Sequence, residues 1–181
     1  MKKKKQSIIM MVMFIGLCLI GVMGFGSKAS AADLDRHEIY RVYNPNSGEH
    51  LFTSSNHERA LLINVGWKDE GIGFYGQGGI GNWKQAKATH VYRVYNPNAG
   101  DHHYTANANE VQNLVRVGWH DDNIGLIMPP ENLGQPVYRL YNPNAKAGAH
   151  HFTLFKYERD HLIKVGWKDE GIAFNAYSSL K

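Results

Sequence analysis

Three histidines, three arginines and three Gly-Trp-x-Asp segments recur along the chain, and their residue types are the ones that do chemistry. His50, His102 and His150 each stand two residues after a glycine, and His103 and His151 follow two of them where the first copy has Leu51. Neutral imidazoles bind zinc, and a set of three is a known ligand set. An isolated repeated histidine more often bonds to turn backbone, so no metal and no cofactor is expected here. Arg41, Arg93 and Arg139, with acids nearby, suit ion pairs that hold a turn to a hairpin. Trp67, Trp119 and Trp167, each followed two residues on by Asp69, Asp121 or Asp169, have two readings. Each Trp caps a hydrophobic cluster, or it offers a face to sugar C–H groups while Asp, His and the tyrosines Tyr43, Tyr95 and Tyr141 bond hydroxyls. Trp83, in a Gly-rich linker, is the one unrepeated tryptophan, and it is a ligand contact if exposed.

These residues sit in three near-copies of one phrase. "IYRVYNPNSGEHLFT" from Ile39 becomes "VYRVYNPNAGDHHYT" from Val91 and "VYRLYNPNAKAGAHHFT" from Val137. The spacing of 52 and 46 residues between Tyr40, Tyr92 and Tyr138 makes repetition the organisation of the chain, with repeats over 39–75, 91–127 and 137–177. Tyr-Arg-Val/Leu-Tyr reads as a strand, and Asn-Pro-Asn with Gly48, Gly100 or Gly148 reads as the loop of a β-hairpin. Ser55 with Glu58, and Asn107 with Glu110, predict helix starts; the third copy has Phe155 at the cap. Leu62, Ile63 and Val65, and their counterparts 114, 115, 117 and 162, 163, 165, predict one apolar helix face, stopped by Gly66, Gly118 or Gly166. Asp-Glu-Gly or Asp-Asp-Asn then predicts an acidic turn before a last strand, its final residue in the left-handed region. The expected fold is β-rich α+β, with three units of hairpin, short helix and strand closed with pseudo-threefold symmetry. That closure is trefoil-like, or else a three-bladed propeller-like ring.

The ends set the compartment. Lys2 to Lys5, the apolar run Ile8 to Phe25, and Ala29 and Ala31 at an A-x-A site predict a signal peptide over 1–31, leaving a domain over 32–181 and no membrane association after cleavage. The only cysteine, Cys18, leaves with it, so disulfides and thiolate metal sites are not expected in the mature chain. Five of the 20 Lys and Arg residues also leave, giving 15 against 16 acids and no constitutive surface for nucleic acid. All 10 histidines remain, which predicts a cationic mature protein in mild acid.

The combination Y-R-[VL]-Y-N-P-N, G-x-H, x-[FY]-T and V-G-W-x-[DE]-[DE]-G-I, spanning Ile39 to Tyr177, resembles a repeat family of secreted, mostly Gram-positive bacterial proteins. In that family it often forms the C-terminal part of cell-wall hydrolases, including enterolysin-like bacteriolysins and phage-type endolysins, and it also occurs on lipases or alone. The resemblance implies a non-catalytic wall-binding role. Triplicated polar groups argue the same way, because catalysis needs one unique constellation, whereas weak equivalent sites gain by avidity on a repeating polymer. The expectation is therefore a secreted binder of peptidoglycan or an attached wall polymer, without enzymatic activity. The alternatives are a stand-alone bacteriocin-like protein and a wall hydrolase of unrecognised type.

Overall fold

The computed structural model describes residues 36–78 and 88–180. The segment expected to be a signal peptide, with Cys18, and Trp83 lie outside the described residues. Among the described residues, nine strands and three helices follow one order. The first lobe is β1 (Arg36–Tyr43), β2 (His50–Thr53), α1 (Asn56–Asn64) and β3 (Lys68–Gln77). The second is β4 (Thr89–Asn96), β5 (Asp101–Thr105), α2 (Ala108–Arg116) and β6 (His120–Met128). The third is β7 (Gln135–Tyr141), β8 (His150–Thr153), α3 (Lys156–Lys164) and β9 (Lys168–Ala176). Each lobe is one three-stranded antiparallel sheet with its first strand in the middle, ordered β2-β1-β3, β5-β4-β6 and β8-β7-β9. The protein is thus β-rich, in three sheets that do not close into one barrel.

Local chemistry explains the elements. In each hairpin loop an asparagine side chain accepts the N–H two residues on: Asn44 from Asn46, Asn96 from Asn98 and Asn142 from Asn144, each at 3.0 Å. Helix α1 is capped by Ser55 Oγ and α2 by Asn107 Oδ1, whereas Phe155 offers no side-chain cap and α3 still begins at the same position. All three helices end in the same six-to-one motif. Gly66, Gly118 and Gly166 take φ of 100°, 98° and 102°, and the Trp after each donates its N–H back to Leu62, Leu114 or Leu162 at 3.0 to 3.1 Å. That backbone bond fixes where each tryptophan sits.

Two local expectations are corrected. The acidic segment is not a turn between elements, because β3, β6 and β9 run straight through it. Pairing slips by one residue opposite Arg41 and Arg139 and by two opposite Arg93, which makes the acidic segment a β-bulge with Gly71, Asn123 and Gly171 at φ of 77°, 53° and 86°. The apolar helix face is also mostly not buried. Val65, Val117 and Val165 are 74%, 71% and 59% exposed, and Val111 is the only buried helix residue among those described. The helices are held instead by Schellman caps, by Arg59 and Arg159 stacked over Tyr40 and Tyr138 at 4.5 and 4.7 Å, and by ion pairs.

The core lies where the sheets meet. Phe52, Tyr104 and Phe152, one from the second strand of each lobe, contact one another edge to face, with centroids 5.7 to 6.2 Å apart. Phe74, Leu126 and Phe174 pack around them. Such ring pairs add about 0.5–1.5 kcal/mol each beyond burial. The Tyr104 hydroxyl is fully buried; it donates to the Phe52 carbonyl at 2.7 Å and accepts the Phe52 N–H at 2.9 Å. Burial first, outweighing the nearby Arg93, pushes its ionisation far above the usual tyrosine range. Tyr104→Phe leaves both Phe52 groups without that partner and is expected to cost about 1–3 kcal/mol in urea unfolding; an unchanged midpoint would contradict this.

Candidate functional site

Alternation along the strands places Arg41, Tyr43, His50 and Phe52 on one face of the first sheet, because Tyr43 pairs with His50 and Arg41 with Phe52. The same pairing joins Tyr95 to His102 and Tyr141 to His150. The Tyr and His rings of each pair touch, at 4.9, 4.9 and 5.2 Å between centroids. Each pair then meets the preceding lobe. His50 packs against His151 at 4.8 Å, and His151 against Trp167 at 6.2 Å. His150 packs against His103 at 4.3 Å, and His103 against Trp119 at 6.3 Å. Two junctions therefore carry a ladder of four aromatic rings, Trp-His-His-Tyr, built by two lobes.

The junction between lobes one and two is different. Its second histidine is replaced by Leu51, which is buried, and His102 Nδ1 turns to Glu49 of lobe one at 2.7 Å. The three repeated histidines do not converge on one point. Among the described residues no group of three or more His, Cys, Asp or Glu is arranged to hold a metal ion.

Beside each ladder runs an ion-pair network between lobes. Arg93 donates to Asp122 of its own lobe at 2.7 Å and bidentately to Glu58 of lobe one at 2.9 and 3.0 Å. Arg139 reaches Glu170 at 2.9 Å and Glu110 of lobe two at 3.2 Å; Arg41 reaches Glu70 at 2.8 Å and Glu158 of lobe three at 3.7 Å. The Nε atoms of Arg41 and Arg139 lie off the line of a hydrogen bond, so those contacts are ionic rather than directional. Glu170 and Glu70 also lie 3.4 Å from the Nε2 of His150 and His50, and Asp122 lies 3.6 Å from that of His102.

Three guanidinium groups meet six carboxylates in this network, so the carboxylates outnumber the arginines two to one. Hydrogen bonding from His103 holds the Glu110 carboxyl down at about 2, against the opposing effect of burial. For Glu158 burial is the largest influence and raises the pKa, but bonds from His151 and Thr153 outweigh it and leave the group at about 2. Glu58 is likewise held low by Arg93 and Thr53 in spite of burial. Burial, reinforced by the neighbouring histidine and arginine, lowers His50 and His150 to about 3. These two therefore stay neutral in mild acid and correct the expectation that every histidine adds charge there.

Of the residues singled out in the sequence, the structure joins Tyr43, His50, His151 and Trp167 in one ladder and Tyr141, His150, His103 and Trp119 in another, with Tyr95 and His102 at the third junction. Trp67 is half-buried in the corresponding place of lobe one. Asp69, Asp121 and Asp169 stand apart. Each accepts the N–H of residue 71, 123 or 171 and so shapes the bulge, while Asp69 also binds Arg59. Glu70, Asp122 and Glu170 are the turn acids that meet the arginines, in line with the ion pairs expected from the sequence, and the partners missed are the helix acids Glu58, Glu110 and Glu158 of the neighbouring lobes. Their triplication beside triplicated arginines was a signal available in the sequence.

The ladders are thus aromatic stretches edged by arginine–carboxylate pairs, with His103 and His151 buried inside them. The chain belongs to the DUF5648 family, a domain of unknown function, whose profile matches residues 24–84 and 38–177. No curated protein and no solved structure matches it.

Proposed function

We propose that this is a secreted, non-catalytic protein that binds a cell-wall glycan, peptidoglycan or an attached wall polymer, through the three lobe junctions. The observation that carries the reading is the Trp-His-His-Tyr ladder, made twice from separate lobes, with its Trp and Tyr rings partly exposed at the ends, one histidine buried inside and its flanking arginines paired with carboxylates. Aromatic faces stack on sugar C–H surfaces, and the polar edges of His, Tyr, Arg and Glu bond hydroxyl groups. Arrangement of the lobes with trefoil-like pseudo-threefold symmetry would set three such surfaces around one axis. Multiple weak sites on one repeating polymer then give avidity. The motif resemblance to repeats borne by bacterial wall hydrolases supports the same ligand class, and the leader supports export.

The test is retention of the secreted protein on purified sacculi, with and without teichoic acid; loss of retention on every wall fraction would remove the reading. Trp119→Ala is expected to keep the fold, costing under about 2 kcal/mol because the ring is half-buried and its backbone bond survives. It should weaken retention several-fold. Unfolding of this variant would instead assign Trp119 to the core.

A further inference from the structure

The three clefts between lobes are not lined alike. At the cleft of lobes one and two the residues after the second strand are Ser54 and Ser55, and the last strand opposite supplies Gly125 and Leu126. The same positions hold Ala106, Asn107, Ala173 and Phe174 at the next cleft, and Leu154, Phe155, Gly73 and Phe74 at the third. Leu154 and Ala173 pack against the core. With Ser54 at the position of Leu154 and Leu126 at that of Phe174, a half-open pocket of about 160 Å³ lies between lobes one and two, floored by Phe52, Tyr104 and Leu126 and edged by Ser54, Ser55 and the Glu58–Arg93 pair.

We propose that this pocket receives the acetamido group of an N-acetylhexosamine, an inference that rests on the glycan-binding reading and makes one junction its specificity site. Size is the first argument. A cavity of about 150 Å³ accommodates benzene, so this one takes an acetamido group but not a pyranose ring with its hydroxyls. Charge is the second. Arg93 spends its fork on both oxygens of Glu58 and its Nε on Asp122, which leaves no free guanidinium to attract an anion. Polarity is the third. Ser55 Oγ accepts the Glu58 N–H at 3.2 Å, so its own O–H remains to donate to a ligand carbonyl. Ser54 is exposed at the rim, and the aromatic and Leu126 floor receives a methyl group.

The experiment titrates the secreted product of the full-length chain with N-acetylglucosamine, glucosamine and glucose, following amide shifts by NMR. N-acetylglucosamine is expected to bind at least about tenfold more tightly than either other sugar, as for a pocket filled or left empty by one small group. Ser54→Leu, which installs the side chain found at position 154, should abolish that preference while sacculus retention persists through the two histidine ladders. Equal binding of the three sugars by the unsubstituted protein would overturn the pocket even if sacculi retain it. Unchanged selectivity in Ser54→Leu would overturn it as well. Selectivity for the acetylated sugar without sacculus retention would keep the pocket and remove the wall-binding reading.

Discussion

Lowering the pH from neutral towards 4 is expected to reduce folding stability by on the order of 5 kcal/mol, with most of the loss below the ordinary histidine range. His50 and His150 are held at about 3 in the folded state, against 6.5 without that environment. Between those values the unfolded chain binds protons that the folded one refuses, so stability is full above 6.5 and falls as the pH drops towards 3. Each pKa unit is worth about 1.4 kcal/mol, and both side chains are about four-fifths buried, so only modest discounting applies. Glu110 and Glu158, lowered from 4.5 to about 2, extend the loss in the same direction below 4.5. Urea unfolding across this range should therefore show a steep fall. His50→Asn with His150→Asn should flatten it above 4.5 and leave the carboxylate part below. A stability constant from pH 7 to 4 would contradict the burial of neutral imidazoles at these junctions.

Arg93→Ala is expected to destabilise the protein by about 3–5 kcal/mol, the usual cost of leaving buried charge without its partner. Arg93 is 6% exposed and serves two carboxylates on two lobes, Glu58 and Asp122. The corresponding arginines are less enclosed, at 23% for Arg41 and 21% for Arg139, and their contacts are longer or less directional. Arg41→Ala and Arg139→Ala should each cost about 1–2 kcal/mol, because water screens what remains. Arg93→Lys should recover little, since an ammonium does not reproduce the two-pronged bond to Glu58. Equal losses for the three alanine variants in chemical denaturation would show that the first junction is not held differently from the others.

What was legible in the sequence is what short-range chemistry controls. Asn-Pro-Asn-x-Gly gave the hairpins, and Gly-Trp after a helix gave the stops. The replacement of Gly71 and Gly171 by Asn123 marked a left-handed residue, which its φ of 53° bears out. The acidic segment misled, because a bulge and a turn use the same left-handed residue, and only strand pairing on both sides separates them. That slip in register accompanies the division in which Glu70, Asp122 and Glu170 meet the arginines and Asp69, Asp121 and Asp169 shape the bulge itself. Helical periodicity also misled, since Val65, three residues after Leu62, keeps a helical spacing while remaining exposed. The ladders were hidden for a different reason. His151 and His50 meet across lobes far apart in the chain, and no local pattern encodes such a contact. The two-residue phrases His102-His103 and His150-His151 marked the place, but their division between one's own lobe and a neighbour's required the structure.

The most direct test of the central claim is the dependence of affinity on glycan length, measured with the protein and wall glycan strands sorted by size. Junctions acting together on one polymer predict affinity that rises at least about a hundredfold from a disaccharide to strands long enough to reach two junctions. It should then fall back when Trp119 and Trp167 are both replaced by alanine. Affinity independent of strand length, or no binding to strands of any length, would contradict the account.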